Sequence, residues 1–290
     1  RRQRMWNRRS NMLKGQIIKN ISNHYTVKTE KGLFECVPRG KFRMQKKTPL
    51  VGDFCTIDEE NNYILELLPR KNELQRPSVC NVDYGLIITS LRQPDFNFLL
   101  LDKEITSILL SHIKPLICFT KLDLLEDTKA FRKIKSYYES IGIPCFTNTD
   151  LDSLKDYLKD SLVVLTGQTG AGKSTLLNKM DETLNLKTNE ISLALNRGKH
   201  TTRHTEIFAI SNILFCDTPG FSALDILNAT KEEVKEAFSE FKNYSCEFKD
   251  CFHRNERNCG VKEALLEEKI LPSRYTSYLN ILDNLPPKKY

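Results

Sequence analysis

A glycine-rich segment beginning at Gly167 carries the clearest chemical signal in the chain. It has the spacing Gly-x-x-x-x-Gly-Lys-Ser, follows the apolar run Leu162–Thr166 and leads into a helix-forming stretch. Glycines let backbone N–H groups curl around phosphate oxygens, and the N-terminus of the next helix adds partial positive charge. The spacing therefore predicts a P-loop that binds a nucleotide. Its residues are Gly167, Gln168, Thr169, Gly170, Ala171, Gly172, Lys173, Ser174 and Thr175.

A second candidate element of the same site lies at the end of the apolar run Ile213–Cys216. Asp217 at such a strand end can hold Mg²⁺ through water, while the N–H of Gly220 can contact a γ-phosphate. In the P-loop, Lys173 would act in catalysis at the β- and γ-phosphates, and the Ser174 hydroxyl would bind Mg²⁺. The sequence Asp-Thr-Pro-Gly alone is only a common turn, but its place downstream of a P-loop favours a magnesium–nucleotide site.

The segment Thr120–Asp123, which follows the apolar run Pro115–Phe119, resembles the guanine-reading Asn-Lys-x-Asp pattern of GTPases. A carboxylate here can accept hydrogen bonds from the N1–H and the 2-amino group of guanine, a pair that adenine does not offer. The alternative is that this segment only begins a helix and has no chemical function. Thr120 also lacks the side-chain amide that asparagine supplies at this position in other GTPases. The predicted base-binding residues are Thr120, Lys121, Leu122 and Asp123.

The order of these segments is permuted relative to ordinary GTPases. In those enzymes the base-reading segment follows the P-loop, whereas Thr120–Asp123 precedes it here. Thr147, which follows the apolar run Ile143–Phe146 and would add a contact to the base, also lies upstream. The order predicts a circularly permuted G domain, in which Asp217–Gly220 leads directly into the C-terminal helices.

Downstream of the P-loop, Asn196–His204 has the composition of a switch loop. The paired threonines beside a glycine suit a switch whose threonine hydroxyl binds Mg²⁺ only when the γ-phosphate is present. Thr202 is the first candidate for this catalytic role, and Thr201 is the second. Ras-like enzymes place a water-orienting glutamine where this chain has Phe221. His200 is the local candidate to orient the attacking water in catalysis, although a loop histidine is commonly only solvated.

Near the C-terminus, three thiols and one imidazole lie within fourteen residues, at Cys246, Cys251, His253 and Cys259. Zinc binds four nitrogen and sulfur ligands in a tetrahedron, and a complete Cys3His set leaves no open position for catalysis. Charged neighbouring residues argue against cysteines that are simply buried in an apolar core. The alternative to a metal site is that these cysteines are free or paired in disulfides. The spacing predicts one structural Zn²⁺ per chain, which would hold a loop between helices in place.

The basic charge is concentrated in the N-terminal quarter. Residues 1–75 hold 16 Lys and Arg against 8 Asp and Glu, whereas the whole chain has a net charge of +7, so the remainder carries −1. Such asymmetry is typical of a surface that binds a polyanion, and we interpret it as an RNA contact rather than a merely solvated face. The candidate RNA-binding residues are Arg39, Lys41, Arg43, Lys46 and Lys47.

The period of the apolar residues predicts the secondary structure around these candidate sites. Short strand-like runs separated by turn residues predict a small β-barrel of OB type, although an SH3-like barrel has the same pattern. Further along, strand-like runs alternate with helical stretches, which predicts a parallel sheet with helices on both faces. The C-terminal part is helical around the Cys and His cluster, with helices predicted at Thr230–Tyr244, Val261–Lys269 and Ser273–Leu285.

Four parts of the chain are thus predicted. They are a basic extension (1–12), an OB-fold RNA-binding domain (13–75), a circularly permuted GTPase domain (76–225) and a zinc-binding helical domain (226–290), with the linker Lys71–Pro77 at the boundary between the second and third. No apolar run approaches the ~20 residues of a membrane helix, and the nine cysteines favour a reducing compartment. We expect a monomer in the cytoplasm, or in an organellar matrix if the arginine-rich start is a transit remnant.

Taken in order, these motifs resemble the small-ribosomal-subunit-dependent GTPases of the RsgA (YjeQ) family. The resemblance extends from Gly15 to the C-terminus and rests on Val51–Asp53, Thr120–Asp123, the P-loop, Gly198–Thr202, Asp217–Phe221 and the Cys and His spacing. It implies an OB-fold, a permuted G domain with GTP and Mg²⁺, and a zinc-containing helical domain. The implied function is GTP hydrolysis that assists late maturation of the small ribosomal subunit and is stimulated by it. The family's histidine beside the switch threonines corresponds to His200.

Two other functions stay open on the sequence alone. An RNA-binding, nucleotide-dependent switch with little or no turnover would be consistent with Phe221. A P-loop kinase of a small substrate would prefer ATP, and it leaves the barrel and the Cys and His cluster unexplained. Competition between GTP and ATP distinguishes the kinase from the GTPase. GTP turnover measured with and without small subunits distinguishes the inactive switch from the GTPase.

Overall fold

The computed structural model describes residues 12–40, 42, 47–75, 78–184, 207–217 and 226–286. Most of the predicted basic extension, the whole of Asn196–His204 and residues 218–225 lie outside these ranges. None of the helices in the described ranges combines the length and the apolar character that crossing a bilayer requires.

The N-terminal part is a closed barrel. Its strands are β1 Met12–Ile21, β2 His24–Thr29, β3 Gly32–Pro38, β4 Phe54–Asp58 and β5 Tyr63–Leu67. β1 pairs antiparallel with both β2 and β4, and a parallel pairing of β3 with β5 completes the order β1-β2-β3-β5-β4. This Greek-key order confirms the OB-type barrel and excludes the SH3-like alternative.

Alternating exposure explains why this segment forms strands. In β4, Cys55 and Ile57 are fully buried while Phe54 is exposed, as a two-residue period requires. Ser22 and Asn23, between β1 and β2, both have positive φ, which is the geometry of a two-residue type I′ hairpin. Apolar alternation and turn residues together therefore set the register of the barrel.

The predicted linker Lys71–Pro77 is wrong in part, because a hairpin begins inside it. Strand β6, Glu73–Gln75, pairs antiparallel with β7, Ser78–Cys80. Gly52 lies against β7 with a φ of +93°, and a Cβ atom there would come within 2.0 Å of the carbonyl oxygen of Cys80. Only glycine permits this approach, which joins the barrel to the hairpin.

The central part is a six-stranded sheet in the order β10-β9-β8-β11-β13-β12. Its strands are β8 Tyr84–Ser90, β9 Lys114–Thr120, β10 Cys145–Thr147, β11 Leu162–Thr166, β12 Ile207–Ile210 and β13 Ile213–Asp217. All five residues of β11 are buried, as is typical of a parallel strand covered on both faces. The strands are parallel as predicted, except that the unpredicted β12 runs antiparallel to β13.

Helices cover both faces of this sheet. They are α1 Phe98–Leu110 and α2 Lys129–Ser140 on one face, and α3 Leu151–Leu158 and α4 Lys173–Met180 on the other. Ile105 and Phe131 bury the first face, and Leu154 and Leu177 bury the second. Two apolar layers thus hold the sheet rigidly, so that residues at the carboxyl ends of its strands keep fixed positions.

The C-terminal part is helical, but its first predicted helix is too long. α5, Lys231–Ala237, is followed by a separate 3-10 helix, Ser239–Asn243, rather than by a continuous helix over Thr230–Tyr244. Phe238 between them has non-helical backbone angles, and its buried ring packs against Phe241 and Tyr278. Tertiary packing therefore overrides helix propensity at this residue. The remaining helices are α6 Gly260–Leu266 and α7 Pro272–Asp283.

A buried cluster of charges joins the C-terminal helices to the central sheet domain. Arg274 of α7 donates to Asp102 of α1 at 2.8 Å and to Glu240 at 2.7 Å. Tyr138 of α2 donates to the same Asp102 oxygen at 2.8 Å, and the guanidinium lies 3.9 Å from the ring centre of Phe238. Since buried charges are tolerated only when paired, the carboxylates of Asp102 and Glu240 balance the buried charge of Arg274.

Candidate functional site

The P-loop connects β11 to α4, as predicted. Gly167, Gly170 and Gly172 all have positive φ, at +132°, +80° and +96°. A Cβ atom on Gly167 would lie 2.1 Å from the carbonyl oxygen of Ile88, so only glycine fits there. Lys173 Nζ donates to Gly167 O at 2.5 Å and to Gln168 O at 3.0 Å. The loop thus has the backbone geometry and the positive charge that phosphate binding requires.

One predicted magnesium ligand lies within the P-loop, and another ends the strand next to it. Ser174 is in the first turn of α4 and is buried. Asp217 is the last residue of β13, and the strand register pairs it with Leu165, two residues before the P-loop. The backbone therefore places both residues at the carboxyl edge of the sheet.

The predicted switch lies outside the described residues, together with parts of two other predicted sites. The residues concerned are His200, Thr201, Thr202, Gly220 and Phe221 in the nucleotide site, and Lys41, Arg43 and Lys46 in the basic loop. Their assigned functions stay predictions from the sequence.

The segment Thr120–Asp123 is tied directly to the P-loop. The hydroxyl of Thr120 donates to the carbonyl oxygen of Ala171 at 2.6 Å. Lys121 has a φ of +59°, and its ammonium donates to the carbonyl oxygen of Gln93. Asp123 lies on the 3-10 turn Leu122–Leu124, at the end of β9. Two segments that are far apart in the sequence thus form one continuous site.

Thr147 also reaches this edge of the sheet. It ends β10, which pairs with β9, and the next residue, Asn148, donates its backbone N–H to Phe119 O at 3.0 Å. The Thr147 hydroxyl lies 2.8 Å from that of Thr149. Because β10, β9, β8, β11 and β13 are consecutive neighbours in the sheet, the permuted motifs meet where ligands of such sheets bind.

A buried acid behind the P-loop, Glu104 of α1, is not among the residues predicted from the sequence. Its side chain is almost fully buried and accepts hydrogen bonds from Thr166 Oγ1, at 3.1 Å, and from the N–H of Gly167. Burial raises the pKa of Glu104 to about 7, although these bonds and the charge of Lys173 act in the opposite direction. A glutamate within an apolar helical stretch was the available signal.

Cys246, Cys251, His253 and Cys259 come together as predicted, with one donor atom of each within 4.8 Å of the others. His253 Nδ1 lies 3.5, 3.5 and 3.4 Å from the three Sγ atoms in that order, and Sγ of Cys246 and Cys259 are 3.8 Å apart. Tetrahedral zinc bonds imply about 3.6 Å between nitrogen and sulfur and about 3.8 Å between sulfurs. The cluster therefore fits a tetrahedral metal ion.

The surrounding residues fix the imidazole of this cluster. Tyr275 donates its hydroxyl to His253 O at 2.5 Å, and the rings of Phe241 and Tyr278 pack against the imidazole. Burial lowers the pKa of His253 to about 4, so the ring is neutral and Nδ1 is available as a ligand. The helical core thus holds the cluster in position for metal binding.

In the basic loop, residues 39–47, the described basic residues are Arg39 and Lys47. The Arg39 side chain is 52% exposed, and its Nη2 atom lies 3.7 Å from Asp58 Oδ2. The guanidinium lies 5.8 Å from the ring centre of Tyr63. Lys47 is also exposed. Tyr63 and Phe54 add exposed aromatic rings to the same barrel. Cations beside aromatic rings suit a nucleic-acid surface.

Comparison with family models gives two matches. The RsgA N-terminal domain matches residues 14–64, and the RsgA GTPase domain matches residues 67–227. A small ribosomal subunit biogenesis GTPase RsgA from Latilactobacillus sakei is 44% identical over 283 residues, covering 92% of this chain and 94% of that protein. A Bacillus cereus protein of the same name is 42% identical over 291 residues, covering 96% of this chain and 99% of its own length.

Solved structures agree with this match. YjeQ from Thermotoga maritima superposes with a TM-score of 0.80 at 31% identity, covering 96% of this chain and all of its own. YloQ, described as a circularly permuted GTPase, gives a TM-score of 0.78 at 34% identity, covering 96% of this chain and 97% of its own. With its OB-type barrel, permuted motif order and Cys and His cluster, the chain belongs to the RsgA family of circularly permuted GTPases.

Proposed function

We propose that this GTPase binds the small ribosomal subunit, assists its late maturation, and hydrolyses GTP to GDP and phosphate with stimulation by the subunit. The names of its relatives support the choice of partner. The observation that carries the chemistry is the hydrogen bond from Thr120 to Ala171 O, because it joins the guanine-reading segment to the P-loop. A site joined in this way can bind the base and the phosphates of one nucleotide at the same time.

Within this site each predicted residue has a distinct task. Asp123 reads the guanine edge, and the P-loop amides with Lys173 bind the phosphates. Mg²⁺, which neutralises charge on the phosphates, is assigned to Ser174, Asp217 and the switch threonines 201 and 202. His200 orients the attacking water, since Phe221 has no group that can do so.

The remaining predicted sites bind the partner and stabilise the fold. The basic loop, with Arg39, Lys41, Arg43, Lys46 and Lys47, supplies the contact to ribosomal RNA. One structural Zn²⁺ per chain occupies the Cys3His cluster and contributes its binding energy to the C-terminal fold. The protein acts as a monomer in the cytoplasm, where the subunits that it matures are assembled.

Cosedimentation with small subunits tests the RNA contact. Phosphate contacts release counterions, so binding weakens steeply with salt, and removing contacts flattens that dependence. Replacing Arg39, Lys41 and Arg43 by alanine should weaken binding by about tenfold or more at low salt and reduce the slope by about 2 to 3. The matched control removes three exposed cations of α2, at Lys129, Arg132 and Lys133, and should leave the slope unchanged. Equal slopes for both variants would show that the basic loop is not the RNA contact.

A further inference from the structure

The proposed mechanism leaves one buried acid of α1 without a function. Asp102, the other buried acid of this helix, faces Arg274 from α7 and Tyr138 from α2. Glu104 instead faces the end of β11 and the start of the P-loop, with only 4% of its surface exposed. Burying a carboxyl is unfavourable unless its oxygens receive hydrogen bonds, so its contacts indicate what it positions.

Those contacts lie at the point where the P-loop begins. Glu104 accepts hydrogen bonds from Thr166 Oγ1 at 3.1 Å and from the backbone N–H of Gly167. Gly167 is itself constrained, because its backbone packs against the carbonyl of Ile88 in a conformation that only glycine adopts. The carboxyl of Glu104 thus fixes the first amide of the loop from the side of α1.

The carboxyl also lies in the electrostatic field of the loop. Burial is the main reason that the pKa of Glu104 is raised to about 7, while Thr166, Lys173 and Gly167 favour the ionised form. Nucleotide phosphates would add negative charge here and draw the Lys173 ammonium toward themselves. Both changes disfavour an ionised carboxylate, so its pKa rises further when a nucleotide binds.

We propose that Glu104 is a positioning residue of the P-loop whose carboxyl takes up a proton when nucleotide phosphates bind. The inference rests on the proposed function, because it requires GTP or GDP at this loop. Protonation lets the carboxyl keep its contact with the loop start without repelling the phosphates. Because the bound form holds the proton, affinity is highest below about pH 7 and falls as the pH rises above that value.

Calorimetric titration of the full-length chain with GDP and Mg²⁺, between about pH 6 and pH 8.5, tests this linkage. Affinity of the unchanged protein should fall by about tenfold between pH 7 and pH 8.5. Glu104→Gln, which mimics the protonated carboxyl, should bind with little change over the same range. The nucleotide's own titration is common to both proteins, so the difference between the two profiles isolates Glu104. Repeating the titration in buffers of different ionisation enthalpy counts the proton taken up.

Two further variants separate positioning from simple folding. Glu104→Met removes the hydrogen-bond acceptor and should weaken GDP binding by about tenfold at every pH, whereas glutamine should rescue it. Asp102→Asn, the matched change at the other buried acid of α1, should keep the pH dependence. Identical pH profiles for the unchanged protein and Glu104→Gln would overturn the inference. Absence of GDP binding at any pH would instead contradict the proposed function.

Discussion

Thr120 determines how the guanine-reading segment meets the P-loop. Its hydroxyl bonds to Ala171 O at 2.6 Å and lies 3.3 Å from Thr89 O, so the side chain is committed to the main chain rather than to a base. The threonine therefore keeps two parts of the site together even though it lacks the amide of asparagine. We infer that Asp123 carries the base preference in its place.

At this scale we predict that Thr120→Val weakens nucleotide binding. Valine has nearly the same shape but no hydroxyl, which leaves the carbonyl oxygen of Ala171 without this donor. A hydrogen bond of this kind contributes about 1 kcal/mol, so GDP affinity should fall by about fivefold. Thr120→Ser keeps the hydroxyl and is the control. Fluorescent-nucleotide titration measures both, and equal affinity of the valine variant and the unchanged protein would contradict the role of this bond.

Single residues also show where sequence analysis reaches its limit. The P-loop, the cysteine spacing and Thr120–Asp123 are predictable because each is a local pattern with a chemical reason. The bond between Thr120 and Ala171 spans 51 positions, and the contact of Glu104 with Thr166 spans 62. Such contacts depend on the order of strands in the sheet, which the local pattern does not contain.

Helix α1 contacts two regions of the molecule that the sequence marks as functional. Its Glu104 contacts the start of the P-loop, and its Asp102 joins the buried cluster with Arg274 and Glu240 of the C-terminal part. The helix therefore packs between the P-loop and the C-terminal helices that surround the Cys and His cluster. Both contacts are buried and hydrogen-bonded, so α1 is held at both places.

The elements that the sequence did not predict correctly have two physical causes, short length and tertiary packing. β12 has four residues, Ile207–Ile210, too few for a clear period, and β6 and β7 have three each. The predicted helix over Thr230–Tyr244 breaks because the ring of Phe238 is buried against Tyr278 and Arg274, a tertiary contact. Strands that are buried on both faces, such as β11, were predicted correctly because such burial requires a continuous apolar run.

For the metal-binding element we predict that Cys251→Ser removes the zinc. A structural site loses its closed tetrahedron when one thiolate is lost, and its binding energy, about 10 kcal/mol or more, is part of the folding energy. Elemental analysis should give about one zinc per unchanged chain and far less for the variant, with the C-terminal helices unfolding at lower temperature. GDP affinity should change little.

The matched control is Cys145→Ser, the same change at a buried cysteine of β10 outside the cluster. It should keep its zinc. Stoichiometric zinc in Cys251→Ser, or no zinc in the unchanged protein purified without chelator, would contradict the assignment.

In the whole molecule, the circular permutation of the G domain connects the nucleotide site directly to the C-terminal helices. β13 ends at Asp217, and the chain then continues into the C-terminal helices that hold the Cys and His cluster. The barrel at the other end carries the basic loop. A nucleotide-dependent change near Asp217 would thus act directly on the domain beyond it. Under the proposed function, a small subunit that contacts both ends would influence the site between them.

The proposed function depends on stimulation of GTP hydrolysis by the small ribosomal subunit at this permuted site. Turnover of GTP by the full chain, alone and with purified small subunits, tests it most directly, with large subunits and Lys173→Ala as controls. Because Phe221 cannot orient water, we expect slow turnover alone and stimulation by about 100-fold or more with small subunits. His200→Ala should lose most of that stimulated rate while binding GTP normally. Equal turnover with and without small subunits would contradict the account.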